Sequence, residues 1–468
     1  MSANTLLIKK GGELLRLSVL FKVYQNSLLW ELHSFYNVSC NVNTACGDAE
    51  IEVSEQLYID FETKGDTLPT DCGFVGAVDI GTTTVCAAIT SSDGAKVYKR
   101  KSALNPEGIF GADVLSRIQA ASEGKLSEMQ SMICKRINEM LLDMTEGKSL
   151  EKLYVTANTT MLHIFMGVDP SSIGIYPFEP KFCYSLTVNG SELGISASEI
   201  TLLPSASGYI GADVVGGAVA LGMYNGEETR LLVDIGTNGE IIIAHNGEYH
   251  ALSAAAGPAL EGASIECGTG AVKGSISSVE LKAGELLLST IGDGAPVGIS
   301  GSGLIDIISI LVSEGIIDET GAFDYDSESP LSAKLVEGRF YITKSVYLSD
   351  ADVRQFQLAK AAICAALETL LDTLKIGADE VSEVYVAGGL GTYTNMENAA
   401  RVGLIPGNLL KKAKAVGNSA LLGALLCARS DAALLDMSSL SEKVRILELS
   451  SSEIFNTKFM DNMFFSCR

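Results

Sequence analysis

From residue 74 onward the chain alternates short apolar runs with glycine-rich polar turns and longer stretches of helical spacing, the pattern of an α/β protein. Leu231-Leu232-Val233 and Ile241-Ile242-Ile243 are strand-like runs. Between them Asp234-Ile235-Gly236-Thr237-Asn238-Gly239-Glu240 is rich in residues that tolerate positive φ, which predicts a β-hairpin with a bare tip. The apolar run 74–78, then Asp79-Ile80-Gly81-Thr82-Thr83-Thr84, then the run 85–89 repeats the same order. A third strand, Glu383-Val384-Tyr385-Val386-Ala387, runs into Gly388-Gly389-Leu390-Gly391. Apolar spacing predicts helices over 126–142, through His163, from Asp213 to Met223, through Leu311, and over 353–376 with Gly377 as a left-handed stop. Met129, Met132, Ile133, Ile137, Met140 and Leu141 share one helical face, which is a packing pattern rather than a metal site. His163, among Met161, Leu162, Ile164 and Phe165, is expected to be a hydrogen-bonded core residue.

Residues before 74 follow no such rhythm. Apolar pieces at 6–20 and 28–33 precede Ser39-Cys40-Asn41-Val42-Asn43-Thr44-Ala45-Cys46-Gly47, and a linker with Gly65 and Pro69 follows. The length corresponds to about three domains. The pattern divides them into a small appended module at 1–72, a first lobe at 73–200 and a second at 201–468, each lobe with one hairpin.

Composition narrows the function. With 47% hydrophobic residues and 47 glycines the chain builds large sheets and many tight turns. Its 34 basic and 57 acidic residues leave a net charge of −23, which argues against nucleic acid and anionic membrane surfaces as partners. Residues 17–30, the most apolar N-terminal part, are broken by Lys22, Gln25 and Asn26, and neither a spanning segment nor a cleavage signal is expected. Ten scattered cysteines, among them Cys86, Cys364 and Cys427, fit a cytoplasmic protein with buried reduced thiols.

The candidate chemistry lies in the turns. The N–H groups and hydroxyls of Gly81, Thr82, Thr83 and Thr84, and of Gly236, Thr237 and Asn238, suit phosphate oxygens. Asp79 and Asp234, at strand ends, suit the water shell of Mg²⁺. Either stretch alone also reads as an ordinary hairpin turn, and it is the repeat that favours a shared cleft. Gly388 and Gly389 let a flat group such as adenine or ribose lie on bare backbone. Ser300 and Gly301 open a helix whose free N–H groups face an anion, or else form a plain glycine-rich first turn. Asp213, at a helix head, is either a cap contributing about 1 kcal/mol or a general base. Residues 253–274 are so small in their side chains that they are expected to lie against a ligand or another subunit. Gly147-Lys148-Ser149 lacks the earlier glycine of a phosphate loop, since Leu142 stands there.

The two D-I-G-T hairpins followed by Gly388-Gly389 resemble the two-lobed actin-like ATPase core, a duplicated ribonuclease-H-like α/β fold. More specifically, residues 105–117, Asn158-Thr159-Thr160-Met161-Leu162-His163, Asp169-Pro170-Ser171-Ser172, 234–240, Ala256-Gly257-Pro258-Ala259, Gly301-Ser302-Gly303-Leu304-Ile305-Asp306, Gln357-Leu358-Ala359-Lys360 and the tail 455–465 resemble the reductive activators of corrinoid-dependent methyl-transfer proteins. The resemblance runs from residue 74 to the C-terminus. It implies ATP and Mg²⁺ as cofactors, ATP-driven return of a Co(II) corrinoid to Co(I), a corrinoid protein or its methyltransferase as partner, and a homodimer. Asp79, Asp213 and Asp234 are the candidate catalytic residues, Asp213 because a general-base aspartate sits at a comparable place in sugar kinases of the actin-like superfamily.

In that family electrons enter through an N-terminal [2Fe–2S] module with C-x5-C-x2-C and a distant fourth cysteine. Here Cys40 and Cys46 keep the first spacing, but Ala49 stands at the third position and Cys72 is the only other nearby thiol. The expectation is therefore no stable [2Fe–2S] cluster and an external electron donor. Thr269-Gly270 and Ser300 also depart from the family pattern. Two other functions compete: a small-molecule kinase in which Asp213 deprotonates a hydroxyl, and a non-enzymatic ATP-switched binding protein. Activators of acyl-CoA dehydratases share the core, but Cys183 and Cys267 have no partner pattern for the cluster they hold.

Overall fold

Strands that are apolar at nearly every position are buried on both faces, and two of them, Phe74–Ile80 and Thr229–Ile235, sit inside two six-stranded sheets. The computed structural model describes residues 4–10, 13–19, 73–92, 94, 96–270, 272–388, 394–449 and 452–465. In the first sheet Phe74–Ile80, Thr84–Ser91 and Val97–Leu104 form an antiparallel meander. Leu150–Ala157 and then Ala197–Leu202 add in parallel on the other side of the first strand. The second sheet repeats this order with Thr229–Ile235, Gly239–His245 and Glu248–Ala254 as meander, and Val381–Ala387 and Ala413–Gly417 as parallel additions. The sixth strands differ: Leu186–Asn189 extends the first sheet beyond Ala197–Leu202, and Arg445–Ile446 extends the second beyond Glu248–Ala254. The architecture is the expected duplicated, two-lobed α/β core.

The register places Asp79 opposite Cys86 and Thr156, and Asp234 opposite Glu240 and Ala387. Each aspartate is the last residue but one of its lobe's first strand.

The lobes are joined through small residues. Helix Ser419–Arg429 lies on Phe74–Ile80 and Leu150–Ala157 of the first sheet, and helix Ala212–Ala220 touches strands of both sheets. The two helices cross at glycines: a Cβ on Gly423 would stand 2.6 Å from the carbonyl carbon of Gly216. Only backbone fits there. Between the third and fourth strands of the second lobe, a large insertion carries two three-stranded sheets and helix Gly301–Ser313. That helix packs into the same core as the long helix Asp350–Leu374.

Several local expectations shift. The expected boundary at 200/201 falls inside strand Ala197–Leu202, so the first lobe runs past it. The long helix stops at Leu374 with Lys375 in the left-handed region at φ +57°, not at Gly377, because buried Ile376 must turn into the core. The helix expected to reach Met223 ends at Ala220. Gly147 follows left-handed Glu146 at the end of helix Leu126–Thr145, which is a helix stop. His163 is buried, with Nδ1 2.8 Å from Thr159 O and Nε2 accepting from the Lys181 amide at 3.0 Å.

In the N-terminal region, Asn4–Lys10 pairs antiparallel with Glu13–Val19. The cluster positions Cys40, Cys46, Ala49 and Cys72 lie outside the described residues.

Candidate functional site

The first hairpin turn is shaped from below by polar groups. Gly81 N–H donates to Thr84 O at 3.0 Å, and a Cβ on Gly81 would meet that oxygen at 2.7 Å. Asn105 donates from its backbone to Thr83 O and from Nδ2 to Gly81 O, each at 2.8 Å. Asn158 Nδ2 reaches Thr82 Oγ1 at 3.2 Å. Arg117, 1% exposed, donates to Thr82 O and Gly111 O and pairs with fully buried Glu107 at 3.3 Å. Burial pushes the Glu107 carboxyl up to about 7, partly offset by Arg117. With these carbonyls engaged, the Thr83 hydroxyl is left to face the second lobe.

The second turn closes with Gly236 N–H on Asn238 O at 2.9 Å. Its Thr237 Oγ1 donates to Glu261 Oε2 at 2.7 Å, and Thr83 Oγ1 from the first lobe donates to the same oxygen at 2.6 Å. Asp79 Oδ2 accepts from Asn418 Nδ2 at 2.7 Å. Gly388, at φ +91°, lies against the other aspartate: a Cβ there would stand 2.3 Å from Ile235 O and 2.7 Å from Asp234 Oδ1. The structure thus links Thr83 and Thr237 through Glu261 and sets Gly388 against Asp234, with Asp79 near enough to act on the Asp234 charge; Gly389 lies outside the described residues.

Asp213 is not the helix cap. Gly211 takes that position, and Asp213 sits in the first turn of Ala212–Ala220 with Oδ1 accepting from the Val214 N–H at 2.8 Å. Its charge acts on the other carboxylates. Burial raises Asp213 to about 6. Burial also raises Asp79 to about 7, opposed by the Asn418 bond and aided by Asp213. Asp234 is held well above the ordinary carboxylate range by burial, then by Asp213, Asp79 and Glu261. Glu240 is raised likewise by burial, Asp213 and Asp234. Partly dehydrated carboxylates that raise one another in this way favour a cation in their midst. Among the described residues, no three His, Cys, Asp or Glu side chains converge to ligate a metal directly.

Ser300 has a structural task. It caps helix Gly301–Ser313, and its buried hydroxyl donates to Ile276 O at 2.9 Å and meets Ser302 Oγ at 3.1 Å. Gly303 lets the helix approach strand Ser275–Lys282, since a Cβ there would stand 2.3 Å from Ile276 O. Farther along, a cavity of about 370 Å³ opens between this helix, that strand and helix Met396–Arg401. In it Asp306 accepts from Asn398 Nδ2 at 2.7 Å and from Val279 N–H at 3.0 Å. Cys86, Cys134, Cys364 and Cys427 are buried free thiols, and Cys183 and Cys267 are half-buried.

Glu240, Glu261 and Asn418 were not singled out from sequence. Glu240 carried a signal, as the acidic end of the second hairpin turn. Asn418 precedes a small-residue helix, and Glu261 lies in the small-residue loop, where only its charge stands out.

Residues 74–226 match the middle region of RACo, and residues 228–468 match the C-terminal domain of RACo, the ASKHA domain. Corrinoid activation enzyme RamQ of Eubacterium limosum is 32% identical over 379 residues, which cover 75% of this chain and 63% of that protein. A Co(II) methylated amine-specific corrinoid protein reductase of Methanosarcina barkeri is 27% identical over 290 residues, covering 57% of this chain and 51% of its own length. The chain thus spans less than two thirds of either curated relative. A solved reductive activator for corrinoid,iron-sulfur protein shares the fold with a TM-score of 0.79 and 31% identity, over 85% of this chain and 67% of that one. The C-terminal match alone takes in more than half of the sequence, and the chain belongs to the RACo family, with that family's middle region and its C-terminal ASKHA domain.

Proposed function

We propose that this protein is a nucleotide-driven activator that returns an oxidised Co(II) corrinoid protein to Co(I). The observation that carries the nucleotide part is the meeting of two equivalent turns, with Asp79 and Asp234 at matched strand positions and the Thr83 and Thr237 hydroxyls on one carboxylate oxygen. The corrinoid part rests on family membership and on relatives that are corrinoid activators or reductases. The same membership favours this reading over the small-molecule kinase.

The donor set fits Mg-ATP. Mg²⁺ keeps several waters and binds through few carboxylates, which suits Asp79 and Asp234 as holders of its water shell. Bound there, the ion would neutralise phosphate charge. The N–H groups and hydroxyls of Gly81, Thr82, Thr83, Thr84, Gly236, Thr237 and Asn238 orient the phosphates. The bare backbone at Gly388 and Gly389 takes the flat adenine or ribose. Asp213, kept near neutral pKa by burial, accepts a proton from the attacking water. Lobe closure then biases the bound partner toward the state that is reduced.

Cys40 and Cys46 without a third ligand at Ala49 leave electron entry to a separate donor. The partner is a corrinoid protein or its methyltransferase, and the protein works as a homodimer in the cytoplasm.

The test uses the full chain with Mg-ATP, a Co(II) corrinoid protein and a low-potential reductant, followed by the absorbance of Co(I). Nucleotide-dependent Co(I) formation is expected. Mg-ATP turnover with phosphorylation of a small hydroxyl compound, and no response to any corrinoid protein, would overturn the reading.

A further inference from the structure

Glu261 ends the short turn Pro258–Glu261, held between Gly257 at φ +76° and Gly262 at φ +80°. Both flanking residues have positive φ, which glycine adopts without a Cβ penalty. Its carboxylate reaches both hairpins. Oε2 accepts from Thr83 Oγ1 at 2.6 Å and from Thr237 Oγ1 at 2.7 Å. Oε1 lies over the second turn, 3.2 Å from where a Cβ on Gly236 would be. Thr83 comes from the first lobe; Thr237 and Glu261 come from the second.

One anionic oxygen taking two hydroxyl protons from two turns is the arrangement that a non-bridging phosphate oxygen would require of the same threonines. A hydroxyl has one proton to donate. Thr83 and Thr237 can therefore serve Glu261 or a phosphate, but not both at once. A carboxylate and a phosphate oxygen sharing this space would also repel each other across a short, partly dehydrated gap.

We propose that Glu261 is a positioning residue that couples phosphate binding to lobe position. It latches the two turns together by mimicking a phosphate oxygen, and it releases both hydroxyls when a nucleotide phosphate takes its place. The inference rests on the nucleotide reading above. It adds that entry of the phosphate breaks the side-chain link between Thr83 and the second lobe, so that occupancy of the cleft and relative position of the lobes change together.

The test compares full-length wild type with Glu261→Gln and Glu261→Asp. Mg-ADP affinity is measured by calorimetry, and amide exchange in the two turns is followed without nucleotide. Glu261→Gln keeps the size but removes the charge that competes with phosphate. It is expected to bind Mg-ADP about tenfold tighter through relief of like-charge repulsion, with faster exchange at residues 81–84 and 236–238. Glu261→Asp keeps the charge on a shorter arm and should free the turns with a smaller gain in affinity. A merely structural role would not raise affinity. Unchanged or weaker Mg-ADP binding by Glu261→Gln, beside a wild type that binds, overturns this inference alone. No Mg-ADP binding by wild type overturns the nucleotide reading and this inference with it.

Discussion

Asn418 Nδ2 donates to Asp79 Oδ2 at 2.7 Å, tying the head of a second-lobe helix to the end of the first strand of the first lobe. Asn418 Oδ1 meanwhile accepts from Leu421 N–H at 2.6 Å as the helix cap. One amide serves both lobes.

Replacing it by a carboxylate separates the two tasks. Asn418→Asp keeps the cap acceptor but sets a second carboxylate against Asp79. The Asp79 pKa is raised to about 7 from 3.8, so the folded form holds the extra proton in that window. Stability from this group is present below pH ~4 and lost as pH rises through ~7. Asn418→Asp should steepen that loss, with a lower Tm at pH ~7.5 that recovers toward wild type near pH ~5. Thermal melts across this range check it, and parallel curves for the two proteins would sink it.

Asp213→Asn should lower ATP turnover by roughly 10²-fold with nearly unchanged nucleotide affinity. It should also stabilise the protein near neutral pH, because the Asp213 charge raises Asp79, Asp234 and Glu240. Steady-state kinetics beside calorimetry separates the effects. Normal turnover per folded molecule would remove the catalytic role.

The Arg117–Glu107 pair is 1% and 0% exposed. Arg117→Met leaves Glu107 buried without its cation and takes a donor from Thr82 O, at an expected cost of about 3–5 kcal/mol. Adding Glu107→Gln should restore a large part of that, since no charge then remains to be compensated. Urea unfolding of the two single variants and the double variant gives the comparison; additive losses would contradict the pairing.

Buried Lys360 holds the C-terminal segment, donating from Nζ to Asn462 O and Phe464 O at 2.6 Å each, with the Phe465 ring 4.8 Å away. Burial lowers its pKa from 10.5 to about 8. The folded form therefore binds fewer protons between those values, and stability from this group rises as pH rises through the window. Lys360→Met should lose that rise and speed amide exchange in helix Glu453–Asp461 and the residues after it. Exchange measured at pH ~7 and ~9 tests both parts. Wild-type exchange in the variant would show that the tail is held by other contacts, such as Gln357 Nε2 on Met463 O.

Sequence alone was enough for what neighbours in the chain decide. The two D-I-G-T turns, the strand before Gly388 and the helix around Met129 and Ile137 were legible because alternation, helical period and turn glycines are properties of a few consecutive residues. Lys375 marks the limit. The local pattern places the helix stop at Gly377, and burial of Ile376 against the core puts it at Lys375 instead. The partners that complete the cleft were beyond reach of any local pattern. Thr83 meets Glu261 across 178 positions and Asn418 meets Asp79 across 339. Asp213 reads as a cap or a base in sequence, and only the lobe arrangement sets its carboxylate among Asp79, Asp234 and Glu240. Local propensity decides which elements form, whereas hydrogen bonds and charge between distant segments exist only once both sheets and their crossing helices have packed.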